Sequence, residues 1–205
     1  VNFINAKTQA IDKKINLLTQ KANYYKEYRK SLINKMVCVG LDKNVKLKDS
    51  EVHYINSIAQ HWKIERIKDL FNIGRGRVIG QELLVENGKY PVYSSQTEND
   101  GCLGFIETFD FDNDLLTWTT DGANAGTVFH RKGKFSITNV CGLIKIKDNS
   151  ELIYGFLFYW LSIEAKKYVY SGMGNPKLMS NQITKIPIPI PPLEIQQKIV
   201  AILDT

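Results

Sequence analysis

Three aspartates stand at alternate positions in TFDFDNDLL: Asp110, Asp112 and Asp114. Clustered carboxylates can hold a divalent cation for phosphodiester chemistry. A nuclease centre would add a nearby lysine, and no Glu-x-Lys follows them, so the stretch reads better as a solvated turn between strands. A second group of residues suits binding rather than bond breaking. NIGRGRVI sets Arg75 and Arg77 among glycines, where the backbone can approach a phosphate and a guanidinium can reach a guanine edge. YSSQTEND supplies Ser94, Ser95 and Gln96, all able to hydrogen-bond bases or phosphates. TTDGANAGTV contributes Thr119 and Asn124 in a glycine-rich connection, and GMGNPKL contributes Asn175 and Lys177. Each stretch alone is ordinary turn chemistry.

The overall balance favours a polyanion. Lys and Arg total 27 against 21 Asp and Glu, a formal net charge of +6. On a basic chain, the four stretches together point to double-stranded DNA. Catalysis finds little support. A methyltransferase acting on DNA bases needs a glycine-rich cofactor strand and a motif such as Asn-Pro-Pro-aromatic to hold the extruded base. The Pro-Pro pair here lies in IPPL, with no amide before it. IGRGRVIG lacks the Gly-Lys-Ser/Thr of a phosphate loop and the helix of a dinucleotide fold. No Ser–His–Asp set is recognisable, so no catalytic residue, metal or cofactor is expected. Cys38, Cys102 and Cys141 are scattered, and His53, His61 and His130 lie far from them in sequence. Neither a zinc module nor a disulfide framework follows; reduced thiols in a cytoplasmic protein do. No signal pattern or 18-residue apolar run suggests a membrane. The first residue is Val, which suggests a fragment or a processed chain.

Positioning these loops requires a scaffold, and the periodicity describes one. Ile4, Ile11, Leu18, Tyr25 and Leu32 recur every seven residues, and Thr8, Ile15, Ala22, Arg29 and Met36 follow four positions behind. No Gly or Pro interrupts them. This is a heptad seam on a helix roughly 50 Å long, half of a coiled coil that needs a partner helix. Residues 38–57, with Gly40 and a polar run, read as a linker. Residues 58–190 read as a mixed α/β globule: short strands rich in Tyr, Phe, Val, Ile and Thr, then helical spacing that puts Leu157, Leu161 and Ala165 on one face. NQITKIPIPIPP reads as an extended edge segment, since proline cannot donate to a ladder. Residues 191–205 begin another helix. The fold class is α+β: one globular target-binding domain, a long coiled-coil-forming helix and the start of a second. The apolar pattern of Val200, Ile202 and Leu203 repeats that of Val1, Phe3 and Ile4, which suggests a tandem repeat cut out of phase.

The phrases GQELLVENGKYPVYSSQ, TWTTDGANAGTVFHRKGKFSITNVCGLIKIK, LFYWL and SGMGNPKLMSNQITKIPIPIPPLEIQQKIVAILD, in that order, resemble a target-recognition domain of a type I restriction–modification specificity subunit. INAKTQAIDKKINLLTQKANYYKEYRKSLI resembles the long helix that follows the proline junction in that family. The resemblance implies two recognition domains per full subunit, spaced by two antiparallel helices that dock modification subunits and, through them, the restriction subunit. Each domain reads one half of a split site. This sequence would be about half of such a subunit. A second copy could complete the helix pair and give a homodimer. Recognition loops vary with the target, so the stretches around Arg75, Ser94, Asn124 and Lys177 carry over as DNA-facing, not as assigned base contacts. Two other readings stay open: the recognition part of a fused restriction–methylation enzyme, and a coiled-coil adaptor whose globule binds protein.

Overall fold

The computed structural model describes residues 2–147, 151–172 and 174–205. Helix α1 (Asn2–Val39) is 38 residues long, about 57 Å at 1.5 Å per residue. Gly40 ends it: its φ of +90° suits glycine, and its N–H donates to the Met36 carbonyl at 3.0 Å. The helix behaves as two parts. At its C-terminal end Ile33, Val37 and Cys38 are buried in the main core, and each buried aliphatic there contributes about 1.5–3 kcal/mol. Upstream, Ile4, Ile11, Leu18 and Tyr25 are 56–67% exposed, as are the flanking Ile15, Leu17, Tyr24 and Tyr28 to similar degrees. From Ile4 to Tyr25 the heptad seam is therefore an exposed helical face, whereas its last member, Met36, packs against the core.

The segment expected to be a linker is structured. After Gly40 the chain makes a β-hairpin, β1 (Leu47–Val52) with β2 (Ile55–Ala59), and Ile55, Ile58 and Ala59 join the core. The alternation that would have announced it is diluted by the polar face of β1, whose residues are mostly exposed.

Strand β3 (Lys63–Arg66), the short helix α2 (Ile67–Leu70) and β4 (Phe71–Arg75) lead into the globule. Then follow β5 (Tyr90–Tyr93), β6 (Cys102–Ile106), β7 (Phe111–Asp112), β8 (Leu115–Thr119), β9 (Val128–Arg131), β10 (Lys134–Ile137) and β11 (Cys141–Ile146). They form two four-stranded sheets, ordered β4-β11-β8-β9 and β6-β5-β10-β7. The first is antiparallel throughout; in the second only the β10–β5 pair is parallel. Every residue of β8 is buried, which fits a central strand reading as the apolar run LLTWT.

Helix α3 (Tyr154–Glu164) buries Leu157 and Leu161, with Ala165 just beyond it, as their spacing predicts. Ser180–Ile183 form the helical turn α4, so the extended edge segment is shorter than NQITKIPIPIPP suggested: only β12 (Pro187–Ile190) is strand, paired with β3 alone. Helix α5 (Leu193–Leu203) begins after Pro192. The junction is locked from both sides. The Trp160 indole N–H donates to the Pro187 carbonyl at 2.9 Å. The fully buried Gln196 amide donates to the Pro191 and Glu151 carbonyls and accepts from the Ile153 N–H, which satisfies a polar group that would otherwise cost about 1–3 kcal/mol.

Candidate nucleic-acid interface

Trp118 organises one end of the first sheet. It sits opposite Gly142 in the β8–β11 pair, and a Cβ added at Gly142 would lie about 2.1 Å from the indole ring, so only glycine admits the tryptophan there. The indole N–H reaches the Leu178 carbonyl at 2.8 Å. The connection after β8 then zips onto the 176–178 segment: Leu178 N–H to the Thr120 carbonyl, Gly122 N–H to the Pro176 carbonyl, and a bridge between Asp121 and Lys177. On the other side of Gly142 lies Arg75, its partner in the β11–β4 pair. A tryptophan wedged over a glycine thus brings Arg75, Asp121 and Lys177 together from three distant segments.

Asp121 is shared. Its carboxylate lies 3.7 Å from Arg75 and 3.6 Å from Lys177, and it accepts from the Thr120 hydroxyl at 2.5 Å. Arg77 has its own carboxylate: the Nε–H is divided between the two oxygens of Asp110 at 3.1 and 3.0 Å. Both Nη groups of Arg77 are without a hydrogen-bond partner among the described residues. The Arg77 backbone bridges to Thr138, whose hydroxyl donates to the Ser94 hydroxyl at 3.1 Å and whose N–H donates to the Tyr93 carbonyl. The GRGR, YSSQ, TTDG and GNPK stretches therefore converge on one end of the domain. Three cations, Arg75, Arg77 and Lys177, face two carboxylates, Asp110 and Asp121, with the cationic side chains 44–51% exposed.

The individual residues divide by burial. Arg75, Arg77, Lys177 and Asn175 are exposed; Ser94, Ser95, Gln96 and Asn124 are half-buried. Gln96 turns inward, its amide donating to the Cys102 carbonyl. Thr119 corrects the reading of the sequence: it is fully buried, donating its hydroxyl to the Asn124 carbonyl and accepting from the Thr127 N–H at 3.1 Å. It builds the turn and is not presented to a ligand. The three alternate aspartates also disperse, Asp110 to Arg77, Asp112 to Lys134 and Asp114 to His130. Burial and Lys132 lower the His130 pKa, so near neutral pH that last contact is with a neutral ring. No group of three His, Cys, Asp or Glu side chains able to hold a metal occurs among the described residues.

Comparison with known proteins decides the family. The sequence model described as the type I restriction modification DNA specificity domain matches residues 59–205. The chain belongs to that family. It is 45% identical to the type I restriction enzyme MpnII specificity subunit of Mycoplasma pneumoniae, over 67% of this chain and 42% of that protein. It is also 45% identical to a protein of the same organism that carries the name of a type I specificity subunit, S.MpnORF289P N-terminus, over 70% of this chain and 76% of that protein. Among solved structures, the HsdS subunit from Thermoanaerobacter tengcongensis superposes with a TM-score of 0.60 at 15% identity, over 97% of this chain and 48% of that one. A chain from a type I restriction–modification complex superposes with a TM-score of 0.63 at 18% identity, over 98% and 50%. This specificity domain with its helices spans about half the length of the solved chains it matches.

Three residues of this end of the specificity domain escaped the sequence. Asp121 lay inside a glycine-rich phrase that read as a turn. Thr138 gave no signal, because its role depends on a pairing with Arg77 across 61 positions. Arg131 was not singled out; it is 2% exposed, with its guanidinium 3.6 Å from the Tyr93 ring centre and 4.2 Å from that of Phe129.

Proposed function

We propose that this chain is a non-catalytic DNA-recognition unit that reads one half of a split target site, while methylation and cleavage belong to modification and restriction subunits docked through its helices. The observation that carries this reading is the convergence of four polar loops and three part-exposed cations on one end of a domain of the specificity family. Arginine forks there can take guanine edges, and Lys177 and the loop hydroxyls can take phosphates. The apolar face of α1 supplies the pairing surface: a second copy joined there would give a homodimer with two identical half-site readers. The protein would act in the cytoplasm, where its thiols stay reduced; burial pushes Cys38 up to about 12 and Cys141 up to about 11, so neither forms a reactive thiolate near neutral pH.

The test is co-expression of the full chain with its modification subunit, followed by methylome sequencing. A split methylated motif that changes when residues 58–190 are exchanged for those of a relative supports the reading. A stable complex without a motif, or no complex at all, refutes it and favours the adaptor reading.

A further inference from the structure

The Ser94–Gly101 loop enters and leaves the interface under unusual backbone constraint. Asn99, Asp100 and Gly101 have φ of +47°, +54° and +78°, three consecutive residues in the left-handed region. Asn and Asp visit this region more readily than other side chains, yet as single residues, so a run of three needs support from elsewhere in the fold. What meets it is Arg131, reaching from the end of β9 in the first sheet to a loop of the second. Its Nη1 donates to the Asp100 carboxylate at 2.5 Å and its Nη2 to the Asp100 carbonyl at 2.6 Å. A Cβ on Gly101 would come within 3.0 Å of Nη2 and of the Gln96 carbonyl, so the guanidinium lies directly under the turn. Tyr93 and Phe129 flank the same guanidinium. The loop is closed at its base by the Ser94 N–H donating to the Gly101 carbonyl at 2.9 Å.

A buried guanidinium is expensive to desolvate. Its partner Asp100 lies on the surface, with 73% of its side chain exposed, and the Nε of Arg131 has no partner among the described residues. The arrangement is therefore costly at one end and solvated at the other. It makes sense if a single loop conformation, rather than stability, is what it secures.

We propose that Arg131 is a positioning residue for target recognition: clamped between Tyr93 and Phe129 and fixed on Asp100, it holds the Ser94–Gly101 loop in the one left-handed conformation that keeps Ser94 against Thr138, the bridge partner of Arg77. The inference rests on the DNA-reading function proposed above, and it assigns part of the base choice to a residue outside the contact loops. A flexible loop would still touch phosphates; it would no longer discriminate bases.

Asp100→Asn is the decisive variant. It is isosteric, sits at the surface, keeps an oxygen that can accept from Arg131, and asparagine tolerates a left-handed φ, so it disturbs the fold less than Arg131→Ala; a thermal melt of the full chain checks this. Two readouts follow on the full chain with its modification subunit: hydrogen exchange over residues 94–101, and the methylated motif with its discrimination against single mismatches. Faster exchange in the loop, unchanged affinity for random-sequence DNA and at least a fivefold loss of discrimination at one or more motif positions support the clamp. Unchanged exchange, or an unchanged motif with a loosened loop, overturns it. A wild-type complex that methylates no motif overturns the underlying recognition reading instead, and this inference with it.

Discussion

Arg77 allows the recognition geometry to be tested quantitatively. Its Nε–H is occupied by Asp110 while both Nη groups are unengaged among the described residues. That leaves the paired donors of the fork available for a guanine O6/N7 edge without breaking the internal pair. A bidentate contact of this kind discriminates by about 1–3 kcal/mol, or roughly 5- to 150-fold in relative affinity. Arg77→Ala should therefore lower affinity for the target by that factor and relax one motif position. Asp110→Asn should act differently. The pair is partly exposed, so its own stability is only about 0.2–1 kcal/mol. Losing the carboxylate removes a repulsion toward phosphates and frees the arginine rotamers, so non-specific binding should tighten slightly while discrimination falls. The assay is fluorescence anisotropy of the full complex on target and single-mismatch duplexes across a salt series. A base contact leaves the salt slope unchanged; a phosphate contact made by Arg77 would reduce its magnitude by about 0.9 on removal. If Arg77→Ala keeps both affinity and motif, or if Asp110→Asn keeps full discrimination with no gain in non-specific binding, the buttressed-fork reasoning is wrong.

Two further outcomes follow from the rest of the chain. Leu18→Asp places a charge in the exposed apolar face of α1, far from the core, so the thermal melt of the globule should stay within a few degrees of wild type while association of α1 with a second helix is lost by light scattering; retained assembly would show that this face is not the pairing surface. Glu164 is fully buried beside Lys167, and burial raises its carboxyl above the usual 4.5. A raised native pKa stabilises the fold below the ordinary value, and that contribution is lost as pH rises through the native one. Glu164→Gln should therefore flatten the decline in stability as pH rises above about 4.5; parallel urea-midpoint profiles for variant and wild type would disprove the assignment.

Much of this was legible in the sequence because it is governed by short-range physics. The 38-residue helix follows from an uninterrupted heptad pattern, and the strands from YPVYSS onward follow from β-branched and aromatic runs broken by Gly and Asp-Asn turns. The β1–β2 hairpin was missed because its outward face is polar, and α4 because SNQI is a single turn with no amphipathic period to detect. Thr119 was misread because a threonine beside glycines looks like a loop residue, whereas it is the last residue of a strand whose every side chain is buried.

By itself, the sequence determined the rod, the order of landmarks, the proline-to-helix junction and the basic balance, since each depends on residues within a few turns of one another. It also carried the family, through phrases that stand in a recognisable order along the chain. Only the tertiary structure decided which polar residues meet. Arg75, Asp121 and Lys177 converge because Trp118 lies over Gly142 and ties β8 to the segment 60 residues away. Arg131 reaches Asp100 only because the end of β9 in one sheet meets a loop of the other. Pairings of that kind are set by strand register and side-chain volume across the core, and no local pattern encodes them.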